Sequence, residues 1–439
     1  MPSSSGRQRF PFTVLDQAIH LLDSPAEPWS IQVELQVSGH LDEQRLRSAL
    51  FDALSAHPMA RARQLPTRRT DRTWIWEIAL AAEIDPLRVV DCPDDAALAA
   101  VRQEFYSRLV PLIEAPPFRL VLARRPVGDI LLLNANHAAF DGFGALRLLR
   151  SIAHAYTEIP ESPPLVDVDE ARDVHRHAAA GDRPERVRRF RMLAGMASDL
   201  VRRPTRLAVD GGTAEPGYGF HLVALTEEQT HTLTTHKASS VNELLLTALT
   251  LAIAGWNQEL GADSDRVGIL VPVNLRPKTW SDDVVTNMVL EAQVLTRSAQ
   301  RTDRRATLQA VSEQNQRIRQ GAGAALIEII GGWTSLPLWA KQPLSALLWL
   351  TGNRLVPTAV LSNLGSLTDP PDFGPVAGRT GNVWFSSPAR MPCGLAVGAV
   401  TTAGRLHLSI RYRHPLLGPA AAARFTERFV TELDRLALT

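Results

Sequence analysis

Cysteine is scarce: Cys92 and Cys393 are the two in 439 residues, and they lie far apart in the chain. That spacing excludes a CxxC redox pair or a zinc knuckle and suits a reducing, cytoplasmic setting. An excess of one charge is missing too. Forty-seven Lys and Arg against 46 Asp and Glu leave a formal net charge of +1, so no global field gathers nucleic acid or an anionic membrane. Long apolar runs are absent as well. LLLTALTLAIA, residues 244–254, is too short to span a bilayer, and LSALLWLTGNRLVPTAVL is broken by Gly352, Asn353 and Arg354. The opening MPSSSGRQRFPF has no apolar core of a leader peptide, so neither a secretory signal nor an integral membrane span is expected.

Several catalytic signatures are also lacking. There is no GxSxG elbow, no GxxxxGK[ST] loop and no HExxH helix, which removes the commonest hydrolase, nucleoside-triphosphatase and zinc-protease chemistries. GFGALR and GAGAAL each lack a glycine of the dinucleotide fingerprint. His175 and His177 sit in a charged stretch without carboxylates arranged around them, so no metal site is expected there.

What is present is a long, apolar-rich chain, 45% hydrophobic, enough for two cores. IQVELQVSG from residue 31 alternates as a strand does, and LDEQRLRSALFDALSAHP follows with helical spacing and a stop at Pro58. TWIWEIAL reads as a strand, DDAALAAVRQEFYSRLV as a helix, and FRLVLARR with DILLLNANH as a hairpin. After Ile159 the composition turns to proline and charge, marking a linker. Within it RVRRFRMLAGMASDLVRR reads as a crossing helix with a solvated basic face. The second half restarts at YGFHLVALT. It continues with the apolar helix SSVNELLLTALTLAIAGWNQEL, capped by Ser239 or Ser240, several strands, and a closing helix from PAAAARFTERF. The expected architecture is α/β with three parts: a first subdomain at 1–160, a linker at 161–214 and a second subdomain at 215–439.

The chemistry concentrates at ILLLNANHAAFDGFGALRLL, residues 130–149. A buried strand runs into a helix through His137-x-x-x-Asp141-Gly142. Alone the pattern is weak, since Asp-Gly is a common turn pair and a histidine beside a strand is often a core residue. Its context is more informative: the same chain carries VPVNLRP and VLSNLG in a second α/β half.

Taken in order, these motifs resemble the chloramphenicol-acetyltransferase-like superfamily, which includes nonribosomal-peptide condensation domains, BAHD acyltransferases and wax-ester-synthase-like enzymes. The resemblance covers nearly the whole chain. FPFTVLDQAIHLL with GHLDEQRLRSALFDALSAHPMARAR is similar to the family's first block, and SSVNELLLTALTLAIAGW to its long second-half helix. The resemblance implies two subdomains, each a mixed sheet with flanking helices, with an active-site tunnel between them. It implies His137 as general base in a free-standing acyltransferase of natural-product or lipid biosynthesis. The donor would be a thioester of coenzyme A or of a carrier protein's phosphopantetheine, the acceptor a hydroxyl or amine of a small molecule, with no resident cofactor.

The resemblance also implies that Asp141 pairs with Arg276 of VNLRP instead of relaying charge to the imidazole, and that Gly142 admits close backbone approach. Ser362 and Asn363 are candidates for the tunnel wall or an oxyanion contact, with buried strand-end bonding as the alternative; Trp384 is a candidate substrate contact, with a core position as the alternative. Two features depart from the family. Asn136 stands where the fuller signature has a first histidine, and DFGPV matches the BAHD motif in its first three residues only. Asn136 keeps a second reading open, a catalytically silent module that binds a carrier protein or an intermediate. A third is cyclisation or dehydration within one bound intermediate.

Overall fold

The computed structural model describes residues 7–160, 167–174, 203–277, 280, 283–319, 332–343, 353–354 and 356–438. The basic crossing helix (except Arg203), His175, His177 and GAGAAL fall outside the described residues.

The first lobe begins with β1 (Arg9–Pro11) and α1 (Val14–Leu22), the latter closed at its start by a reciprocal Thr13–Asp16 capping box. Next come β2 (Ser30–Val37), α2 (Glu43–Ala56), β3 (Ala62–Gln64), β4 (Ile75–Ile78), β5 (Leu87–Asp91) and α3 (Asp95–Tyr106). The expected hairpin follows as β6 (Phe118–Arg124) against β7 (Ile130–Asn136), antiparallel, and then α4 (Gly142–Tyr156). Every residue of β7 is buried, because the strand lies inside its sheet with layers on both faces. That explains its run of apolar residues in place of strict alternation.

The second lobe comprises β8 (Tyr218–Ala224), α5 (Glu227–Thr234), α6 (Val241–Glu259), β9 (Arg266–Asn274), β10 (Val289–Arg297) and α7 (Arg304–Arg317). It continues with β11 (Ala359–Ser366), β12 (Thr380–Ser386), β13 (Leu395–Thr402), β14 (Arg405–Arg413) and α8 (Pro419–Ala437). Ser240, not Ser239, caps α6, exchanging hydrogen bonds with Glu243. The central side chains of α6 are buried between sheet and helices, with α8 packed alongside.

The described strands form three sheets, ordered β1-β4-β3, β12-β2-β7-β6-β5 and β10-β9-β11-β13-β14-β8. The lobes are therefore not two contiguous halves of the chain. β12 comes from the second half, yet it pairs antiparallel with β2 at the edge of the first lobe's sheet, Phe385 opposite Val33. The cause is a close crossing: a Cβ on Gly398 of β13 would lie 1.8 Å from the Phe385 carbonyl oxygen. Only glycine permits the two backbones to approach this closely. Each lobe has its own apolar core. Among the described residues, no helix is long and apolar enough to cross a membrane.

Candidate active site

The turn carrying His137 is tied down before any ligand arrives. The His137 amide donates to the Trp29 carbonyl, and its Nδ1–H donates to the Phe140 carbonyl at 2.8 Å. That bond leaves Nε2 as the nitrogen with the lone pair. Burial pushes the imidazole pKa below its usual value, while the Phe140 carbonyl and the Asp141 charge act in the opposite direction. A neutral, singly oriented imidazole at pH 7 is the result.

Asp141 caps α4, accepting from the Gly144 amide at 2.8 Å. Its carboxylate also receives the Met288 amide at 2.8 Å and both terminal nitrogens of Arg276, at 2.5 and 2.9 Å. Arg276 donates further to the Val284 and Thr286 carbonyls. Every oxygen of this buried carboxylate is thus occupied by partners other than the imidazole. Gly142 is required by space: a Cβ there would meet Leu364 Cδ2 at 2.7 Å and the Phe385 ring at 2.9 Å.

Asn136 is fully used inside the first lobe. Its Nδ2 donates to Asp23 Oδ2 at 2.8 Å and to the Val110 carbonyl at 2.9 Å, and its Oδ1 accepts the Ala138 amide. Asp23 also takes the Trp29 amide. With no cation among these partners, burial lifts the Asp23 pKa to about 6.

His137, Asp141, Gly142 and Phe143 form one side of a cavity of about 150 Å³ between the lobes. The opposite wall is the face of the second lobe's sheet. Leu270, Pro272 and Asn274 of β9, Val289 and Glu291 of β10, and Val360 and Ser362 of β11 line it, following the two-residue period of a strand. The alternate residues Ile269, Val271 and Leu361 point into the second core.

The opening has a backbone cause. The Gly268 carbonyl accepts from Thr358 beside β11, so the even-numbered backbone groups of β9 face that strand. Pairing between β9 and β11 nevertheless stops at Leu270–Val360. The next such position is Pro272, which has no N–H with which to extend the ladder.

Ser362 and Asn363 both line the cavity. Asn363 Oδ1 accepts the Gly365 amide, which leaves Nδ2 as the donor end of the carboxamide. Trp384 is a correction: it does not line this cavity. Its ring packs edge-on against His407, and Phe385, on the other face of β12, takes the cavity-facing position. Sequence reasoning missed Pro272, Asn274 and Glu291. For Glu291 a signal existed, a lone carboxylate within the apolar strand MVLEAQVL. Among the described residues, no three His, Cys, Asp or Glu side chains converge as a metal site, and both cysteines are buried as free thiols.

Two mixed α/β lobes facing each other across a buried HxxxDG histidine define a condensation-like module. The Condensation domain family matches residues 17–289, and the chain belongs to that family. An uncharacterized protein of Mycobacterium tuberculosis strain H37Rv, Rv2305, is 35% identical over 424 residues, covering 95% of this chain and 97% of that one. Among solved structures, the first condensation domain of the calcium-dependent antibiotic synthetase, in complex with a substrate analogue, superposes with a TM-score of 0.73. It shares 16% identity over 99% of this chain and 97% of that chain. The epimerization domain from the third module of tyrocidine synthetase B gives a TM-score of 0.70, at 17% identity over 100% and 98%.

Proposed function

We propose that the protein is an acyltransferase that moves an acyl group from a thioester, of coenzyme A or of a carrier protein's phosphopantetheine, to a hydroxyl or amine of a small molecule. The observation that carries this reading is the His137 imidazole: neutral at pH 7, held by its Nδ1–H on the Phe140 carbonyl, and set on a cavity between two lobes. Condensation domains in general form amide or ester bonds and work with carrier-bound substrates.

In the proposed reaction His137 Nε2 accepts the proton of the attacking O–H or N–H as the new C–O or C–N bond forms. The tetrahedral oxyanion then collapses, the C–S bond breaks, and the imidazolium returns its proton to the departing thiolate. Ester or amide and free thiol are the products, and the histidine ends as it began. Ser362 and the Asn363 Nδ2 are the donors proposed for the oxyanion. The thioester supplies the activation, so the scheme needs no resident cofactor.

The test is thiol release from acyl-coenzyme A and acyl-carrier-protein donors by wild type and by His137→Ala. A loss of about 100- to 10,000-fold is expected; an unchanged rate of transfer overturns the base assignment. Saturable binding of a loaded carrier with no turnover from any donor would identify a binding module in place of the enzyme.

A further inference from the structure

Glu291 has no part in the scheme above, yet it shares the small cavity with His137. It lies on the cavity-facing side of β10, with Pro272 directly across on β9, a neighbour that offers no side-chain donor. Among the described residues no hydrogen bond or ion pair reaches its carboxylate, and the described cavity lining contains no Lys or Arg. The other carboxylate of the cavity, Asp141, is neutralised by Arg276. The chamber therefore holds one uncompensated acid among mostly apolar walls. Glu291 is half-buried, and a carboxylate held partly out of water without a partner costs free energy that a cationic ligand in the cavity would offset. Consistent with that environment, burial alone raises the Glu291 pKa to about 7.

We infer that Glu291 selects the acceptor, and that the acceptor class carries a positively charged nitrogen in the same molecule as its attacking hydroxyl or amine, as in amino alcohols and diamines. The inference rests on the acyl-transfer reading for the word acceptor, but the binding it predicts does not require chemistry. An ammonium would supply the counter-charge that the walls lack, and its N–H donors would fill the carboxylate. His137 and Glu291 line one cavity, so the cationic group and the attacking atom belong to the same molecule. A carboxylate-bearing analogue would meet repulsion in the same place.

The test uses the full chain and three matched probes: 5-amino-1-pentanol, 1-hexanol and 6-hydroxyhexanoate. Binding is measured by calorimetry without a donor, and transfer is then measured with acetyl- and octanoyl-coenzyme A. Wild type is expected to favour the amino alcohol over both others. Glu291→Gln, which keeps shape and hydrogen bonding but removes charge, is expected to lose about tenfold to a hundredfold of that preference. Glu291→Lys is expected to reverse it toward the hydroxy acid, and a melting curve for each variant checks that it folds. Absence of a Glu291-dependent preference for the cationic probe overturns the inference, whether or not transfer occurs. If the preference holds in binding while no thioester turns over, the site selects a cation and the acyltransferase reading fails alone.

Discussion

Asp141 and Arg276 meet as a two-pronged ion pair that crosses from one lobe to the other, 1% exposed on each side. Asp141 ends the turn that begins at His137, and Arg276 follows β9, whose side chains line the opposite wall. The same carboxylate receives the Met288 amide beside β10. One side chain thus fixes the distance between the proposed base and the wall it faces. The Asp of the motif serves geometry, because its oxygens are spent on the arginine, Met288 and the cap of α4.

Breaking that pair from one side leaves a buried carboxylate without its cation. Arg276→Met is expected to destabilise the fold by about 3–5 kcal/mol, read as a lower urea midpoint at unchanged slope. Adding Asp141→Asn, which keeps the cap but removes the charge, should recover part of the loss, roughly 1–2 kcal/mol. A cost below about 1 kcal/mol for the single variant would mean that the pair does not hold the lobes.

The pH profile follows from the neutral state of His137. The base works unprotonated, and burial sets its pKa below the ordinary 6.5. Under the proposed mechanism, activity is expected at neutral pH and is expected to be lost as pH falls through that lowered value. With saturating neutral acceptor in the Glu291→Gln background, the acid limb of kcat should lie below 6.5. A limb at or above that value would contradict a desolvated imidazole as the base.

Periodicity made the β6–β7 hairpin and α6 legible in the sequence, since their apolar patterns are set by burial that neighbours impose in simple ways. The His137 turn was legible as a motif, but Arg276 became its partner only through the family resemblance; nothing local ties residues 135 positions apart. The strand at NVWFSSP was visible, its sheet was not, because pairing with β2 depends on the close approach at Gly398. The same gap left Trp384 open between a substrate contact and a core position. Alternation says that Trp384 and Phe385 face opposite ways, but which side is the cavity depends on the layers.

Asn136 stands where the family's fuller signature has a first histidine, and its bonds tie it inside the first lobe. Asn136→Leu would strand the Val110 carbonyl and remove a donor from Asp23. The expected cost is about 1–3 kcal/mol, with kcat falling more than KM changes, because the turn that follows His137 loses its bond from the Ala138 amide. Asn136→His offers a donor again and should retain more activity than the leucine variant. If the leucine variant matches wild type in both stability and kcat, the carboxamide has no positioning role.

Glu291 makes a stability prediction independent of any substrate. Its folded-state pKa, about 7, stands above the ordinary 4.5. A group raised in this way favours the fold below its unfolded value, and that contribution is withdrawn as pH rises through the folded value. Ionised Glu291 is thus a burden at pH 8 and a much smaller one at pH 5. Glu291→Gln should therefore raise Tm at pH 8, by an amount equivalent to roughly 1–3 kcal/mol, with a several-fold smaller change at pH 5. Thermal melts of both proteins at the two pH values measure this. Equal Tm differences at pH 5 and pH 8 would show that the carboxylate already has a counter-charge, and the case for a cationic acceptor would lose its physical basis.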